Sequence, residues 1–215
     1  MSLKMVRSGL WASLVAALAL STLAPAASAQ AAAGDAVRGA KVAYTCYGCH
    51  GIPDYRNTYP TYHVPKIFGQ RADYIIAALG EYKAGTRQHG RNGTMNAQAA
   101  SLSDKDIADV AAFFAATPLK SDGPTGTAPA IVATCAACHG PDGVAIEGTG
   151  APNLAGQHAD YLVNSLHGYQ KGTRQNAIMQ GFAGQLKEED IQAAAKWFAS
   201  QTPGLWTQKA SGAKF

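Results

Sequence analysis

The chain has 215 residues, is 47% hydrophobic and only 15% charged, and carries a formal net charge of +4 at neutral pH. So small an excess excludes the strongly basic stripe on which nucleic-acid binding depends. Its length leaves room for one or two modest domains.

Residues 1–29 read as an export signal. Lys4 and Arg7 make a basic start, Gly9 to Ala24 form an apolar run, and Ala27-Ser28-Ala29 supply the small residues a signal peptidase needs. Gln30 is therefore expected to begin the mature chain. The apolar run is shorter than the ~20 residues that span a bilayer, and no second one follows. The mature protein is expected in the periplasm, soluble or peripheral at the membrane surface. Losing Lys4 and Arg7 takes the 18 basic residues to 16, against 14 acidic ones.

Next, Val37, Ala40 and Tyr44 recur at helical spacing, leading into Cys46-Tyr47-Gly48-Cys49-His50. A loop containing Tyr59, Tyr62 and His63 runs to Pro65-Lys66-Ile67-Phe68-Gly69-Gln70. Ile75, Ile76, Leu79 and Tyr82 then mark one face of a central helix that ends near Gly85-Thr86-Arg87. Met95 and Leu102 follow. Ser103 with Asp106 forms a capping box opening a helix whose buried side is Ile107, Val110, Ala111 and Phe114. Residues 119–128, polar and rich in Pro, Gly and Thr, have linker composition.

The pattern then repeats at a spacing of 84 to 89 residues. Cys135-Ala136-Ala137-Cys138-His139 is followed by Pro152-Asn153-Leu154-Ala155-Gly156-Gln157. After it come a helix bearing Tyr161, Leu162, Ser165, Leu166 and Tyr169, then Gly172-Thr173-Arg174, Met179 and Leu186. The last helix opens near Glu188 and carries Ile191, Ala194, Ala195 and Phe198. The organisation is two homologous all-α domains, 30–118 and 129–215, rather than a short-period solenoid. Each is near the small end for a self-sufficient core, so a cofactor wedged among the helices would supply missing apolar interior.

C-x-x-C-H marks covalent attachment of a c-type haem. The two thiols bond to the porphyrin and the next histidine reaches the iron. Bridges Cys46–Cys49 and Cys135–Cys138 would account for the cysteines but not for the histidine after each pair. Zinc suits the motif poorly, because adjacent Cys and His seldom aim at one tetrahedral centre. Two covalent haem c groups are expected, on Cys46 and Cys49 and on Cys135 and Cys138, with His50 and His139 as proximal ligands. Candidates for the sixth ligand are His63, His89 and Met95 in the first copy, and His158, His167 and Met179 in the second. Registering the repeats sets His158 opposite Arg71, His167 opposite Gly80 and His89 opposite Asn176. His63 falls where the loops differ in length. Only Met95 and Met179 hold matching places, and a thioether there raises the potential relative to bis-histidine ligation. The carbonyls of Pro65 and Pro152 suit the proximal imidazoles as acceptors, or the prolines merely turn the chain. Lys83, Arg87, Arg91, Lys171 and Arg174 suit propionate pairing, docking to an acidic partner, or solvated helix ends.

Together, the two C-x-x-C-H motifs, two P-x-(I/L)-x-G-Q segments, two D-Y helices ending in G-T-R and two methionines resemble class I cytochromes c. More closely, they resemble the diheme cytochrome c4 family, over essentially the whole mature chain. The resemblance implies two class I domains with their haems close together. It implies a carrier, not an enzyme, that takes single electrons from a quinol-oxidising complex to a terminal oxidase or similar redox protein. His50 and Met95, and His139 and Met179, carry over as axial ligand pairs. The competing function is the cytochrome subunit of a periplasmic dehydrogenase, such as a sulfide-oxidising flavocytochrome. The copies are unequal: 15 residues separate His50 from Pro65 but 13 separate His139 from Pro152, and Thr86 to Met95 spans nine against six for Thr173 to Met179.

Overall fold

A computed structural model describes residues 34–56, 58, 61–88 and 93–209. The export signal, Tyr59, His89 and Arg91 lie outside the described residues. The first half comprises α1 (Ala36–Val42), a 3-10 turn (Ala43–Cys46), α2 (Tyr47–His50), α3 (Ala72–Ala84), α4 (Thr94–Ala100) and α5 (Asp104–Phe114). The second has α6 (Val132–His139), α7 (Ala159–Gln170), α8 (Ala177–Ala183) and α9 (Glu188–Ser200). Among the described residues there is no strand, only isolated bridges.

Each half has its own core. Ala43, Tyr47, Phe68, Ile75, Val110 and Phe114 form one, and Val132, Leu162, Ala195, Trp197 and Phe198 the other. The anticipated faces of α5 and α9 are the buried ones. Ser103 caps α5 through the capping box with Asp106, giving two orphan backbone donors partners. α3 stops at Gly85, whose φ of 77° is the left-handed conformation that ends helices at little cost in glycine.

The first helix faces otherwise than its apolar spacing suggests. Val37 and Tyr44 are 74% and 61% exposed, whereas Gly39, Ala43 and Tyr47 point inward. The reason is close approach. A Cβ on Gly39 would lie 1.9 Å from the Asp109 carbonyl oxygen of α5, so only the smallest residue fits the crossing. Asp109, 1% exposed, then pins α1 to α5. It accepts from the Asp35 N–H at 2.8 Å, from Lys105 Nζ at 2.8 Å and from Arg38. Lys105 and Arg38 hold its carboxyl far below the usual carboxylate range.

The two halves meet through the repeated G-Q segments, and each glutamine reaches across to the other copy. Gln70 Nε2 donates to the Asn153 carbonyl at 3.0 Å and Gln70 Oε1 accepts from the Asn153 N–H at 2.8 Å. Reciprocally, Gln157 Nε2 donates to the Lys66 carbonyl and Gln157 Oε1 accepts from the Lys66 N–H, both at 2.9 Å. Because Lys66 and Asn153 are equivalent positions, the seam is a pseudo-two-fold pair of clamps. Trp206 adds an unequal contact, stacking on Phe68 at 6.1 Å between centroids.

Candidate functional site

The 3-10 turn and α2 place Cys46 and Cys49 one helical turn apart, so that both thiols reach one side with His50 beside them. α6 does the same for Cys135, Cys138 and His139. All six side chains line a cavity of about 420 Å³ walled by both halves, including Leu79 and Leu102 from one and Leu162 and Leu166 from the other. No disulfide joins the four cysteines, and burial pushes the Cys46 and Cys135 thiols up.

Both prolines act as hydrogen-bond acceptors. His50 Nδ1 lies 2.8 Å from the Pro65 carbonyl oxygen and His139 Nδ1 lies 3.0 Å from that of Pro152. A ring that donates through Nδ1 keeps its Nε2 lone pair for a metal. Burial lowers the pKa of His139, which keeps the imidazole neutral. The clamping glutamines grip the residue just after each proline, so the seam adjoins the support of each histidine.

Met95 and Met179 line the same cavity. Different devices hold the two segments. Asn96 Nδ2 ties α4 to the end of α3 by donating to the carbonyls of Tyr82 at 2.9 Å and Arg87 at 2.8 Å. Asn176 caps α8 by accepting from the Met179 N–H at 3.0 Å. The competing histidines lie elsewhere: His63 and His158 stack on each other at 4.4 Å, and His167 pairs with Glu188 at 2.9 Å.

The basic cluster divides in two. Lys83 and Lys171 are exposed, with Lys83 paired to Asp104 at 3.0 Å. Arg87 and Arg174 are 3% and 8% exposed and line the cavity. Arg87 donates to the hydroxyls of Tyr74 at 3.2 Å and Tyr161 at 3.1 Å, and Arg174 donates to Tyr74 at 2.6 Å. Their guanidinium groups also sit over the rings of Tyr82 and Tyr169. Arg87 Nη1 and Arg174 Nε are buried without a hydrogen-bond acceptor; Glu81, 3.6 Å from Arg87 Nη1, is too distant to serve. Arg87 has the Glu81 carboxylate at ion-pair distance, yet each arginine keeps one buried donor unbonded; such donors suit further anions, and haem carries two propionates. Thiol pairs, oriented imidazoles, apolar walls and unsatisfied cations together fit two covalently bound haem c groups. In the sequence Tyr82, Tyr161 and Tyr169 had only a place on a helix face, and Tyr74 and the clamping glutamines had no role; their signal was recurrence at matching positions in both copies.

Residues 36–117 match the family model described as cytochrome c, and residues 127–198 match that of cytochrome c oxidase, cbb3-type, subunit III. Cytochrome c4 of Pseudomonas aeruginosa is 34% identical over 187 residues, covering 77% of this chain and 88% of that protein. A thiosulfate dehydrogenase electron acceptor of Stutzerimonas stutzeri is 31% identical over 207 residues, covering 86% and 92%. The crystal structure of reduced cytochrome c4 from Pseudomonas stutzeri superposes with a TM-score of 0.59 at 31% identity, covering 79% of this chain and all of that one.

Proposed function

The chain belongs to the cytochrome c4 family and serves electron transfer, and we propose that it is a periplasmic diheme carrier moving single electrons from a quinol-oxidising complex to a terminal oxidase or similar acceptor. The observation that carries this reading is one wall set repeated twice: a C-x-x-C-H, a proline-anchored histidine and a methionine on one cavity.

When bound, each haem supplies reversible one-electron exchange at its iron. Cys46 and Cys49 would tether the first group and Cys135 and Cys138 the second, as thioethers. His50 and His139 would give Nε2 to the metals, held in orientation by the Pro65 and Pro152 carbonyls. Met95 and Met179 would each offer a thioether sulfur to an iron and exclude water, oxygen and peroxide, which suits a carrier rather than an enzyme. Arg87 and Arg174 would neutralise propionates between the halves. Export through residues 1–29 is part of the proposal; no helix among the described residues is long and apolar enough to cross a membrane.

Haem counting and the weak methionine–iron charge-transfer band at the red end of the ferric spectrum test the ligand sets. Two macrocycles and a full-intensity band support them, and carbon monoxide binding readily at both ferrous irons overturns them. A second reading is favoured by the relative named for accepting electrons from thiosulfate dehydrogenase: the chain would accept electrons from a periplasmic dehydrogenase of sulfur compounds. Stopped-flow reduction by such a dehydrogenase, compared with reduction by a quinol-oxidising complex, separates the two.

A further inference from the structure

The longer loop of the first half carries a cluster that the electron-transfer reading does not use. Asp54 and His63 meet His158, at the start of α7, with one ligand atom from each within 4.8 Å of the other two. His63 Nδ1 lies 2.8 Å from Asp160 Oδ2, and the same carboxylate accepts from the His63 N–H at 3.1 Å. A carboxylate that accepts a hydrogen bond from Nδ1–H fixes the tautomer and leaves Nε2 as the metal-binding nitrogen, the arrangement that supports histidine in many metal sites. The His63 and His158 rings stack at 4.4 Å between centroids, 14° from parallel, so a shared ion requires the rings to turn until their ligand nitrogens converge. Asp54 is exposed, so the site opens to solvent. The carboxylates of Asp54 and Asp160 offset the nearby cations Lys66 and Arg56, the latter 3.7 Å from Asp160.

We propose that Asp54, His63 and His158 form a binding site for one divalent transition-metal ion of the zinc class at the seam between the two domains, with Asp160 positioning His63 and water completing the shell. Two imidazoles and one carboxylate are a donor set that zinc accepts. The ligands come from both halves, so the ion would add a cross-link beside the glutamine clamps. Nothing in this requires the haem ligands.

The test uses the holoprotein, stripped of adventitious metal and titrated with Zn²⁺ by calorimetry. Zinc-edge X-ray absorption then reads the ligand shell independently of iron. One ion per molecule is expected, with two imidazoles at about 2.0 Å. H158Q should abolish stoichiometric binding, and D160N should weaken it about 10- to 100-fold. H167Q, at a half-buried histidine away from the cluster and paired with Glu188, should leave Zn²⁺ binding unchanged. The haem spectrum checks that each variant is folded, and D54N, on the exposed loop, provides a second ligand deletion should H158Q disturb the seam. No saturable binding to wild type, a shell without imidazole, or equal affinity in wild type, H158Q and D54N would overturn the site.

Discussion

Removing Gln70 offers the sharpest test of the seam. Gln70 and Asn153 are each 5% exposed, and Gln70→Ala deletes two hydrogen bonds to the Asn153 backbone at 2.8 and 3.0 Å. A third, from the Arg71 N–H at 3.0 Å, is also lost. Each net hydrogen bond contributes about 1 kcal/mol, but a buried partner left unsatisfied costs about 1–3 kcal/mol. Both Asn153 groups would be stranded where water has little access, which puts the loss at about 3–4 kcal/mol. Gln157→Ala deletes the equivalent pair to Lys66. Lys66, however, is only half-buried, so water can replace the lost partner and the cost falls to about 2 kcal/mol. For a chain of this size these figures lower the melting temperature by about 10 °C and about 5 °C. Calorimetric and circular-dichroism melts of the two holoproteins measure both. Equal losses, the reverse order, or both below about 1 kcal/mol would refute the reasoning that reciprocal clamps of unequal burial hold the halves together.

The second pocket is expected to hold the higher potential, because His139 is 7% exposed whereas His50 is half-buried, and excluding solvent disfavours the extra charge of ferric iron. A spectroelectrochemical titration that fits two indistinguishable potentials would contradict this. Arg174→Leu should lower that potential by tens of millivolts, on a scale where about 59 mV is tenfold, since a buried cation favours the reduced centre; an unchanged or raised value would remove Arg174 from the site. Met179→Ala should remove about half of the methionine–iron band and admit carbon monoxide at one iron only, two effects that ultraviolet–visible spectra read directly. Asp106 is lowered to about 2, chiefly by its bonds to Ser103, and Asp109 lies lower still. Folded values below the usual 3.8 mean that these carboxylates stabilise the fold above pH about 4 and lose that contribution as acid protonates them. Asp109→Asn should therefore flatten the fall of melting temperature below pH 4, and an unchanged slope would sink the assignment.

The two haem motifs were legible because C-x-x-C-H is a local pattern: one helical turn puts both thiols on one side, whatever surrounds them. Helix starts such as Ser103 with Asp106 are equally local, and the duplication supplied the register that singled out Met95 and Met179. The inward face of α1 was not legible in its apolar spacing. Apolar spacing pointed to Val37 and Tyr44, whereas the face is chosen by how closely α5 approaches Gly39. For Arg87 and Arg174 the sequence left propionate pairing, partner docking and solvated helix ends open, because composition does not say that a second half will close over them.

What the sequence alone determined is the chemistry of each half, two C-x-x-C-H motifs for two haem c groups, and the main helices that flank them, but not the short α4 and α8 that carry Met95 and Met179. Only the tertiary structure decided how the halves join, through Gln70 with Asn153, Gln157 with Lys66, and His63 with His158 and Asp160. Those partners lie 83 to 97 residues apart in the chain. Local spacing fixes what one turn of helix presents, but pairings at that separation are selected by the packing of two complete surfaces, which no short stretch encodes.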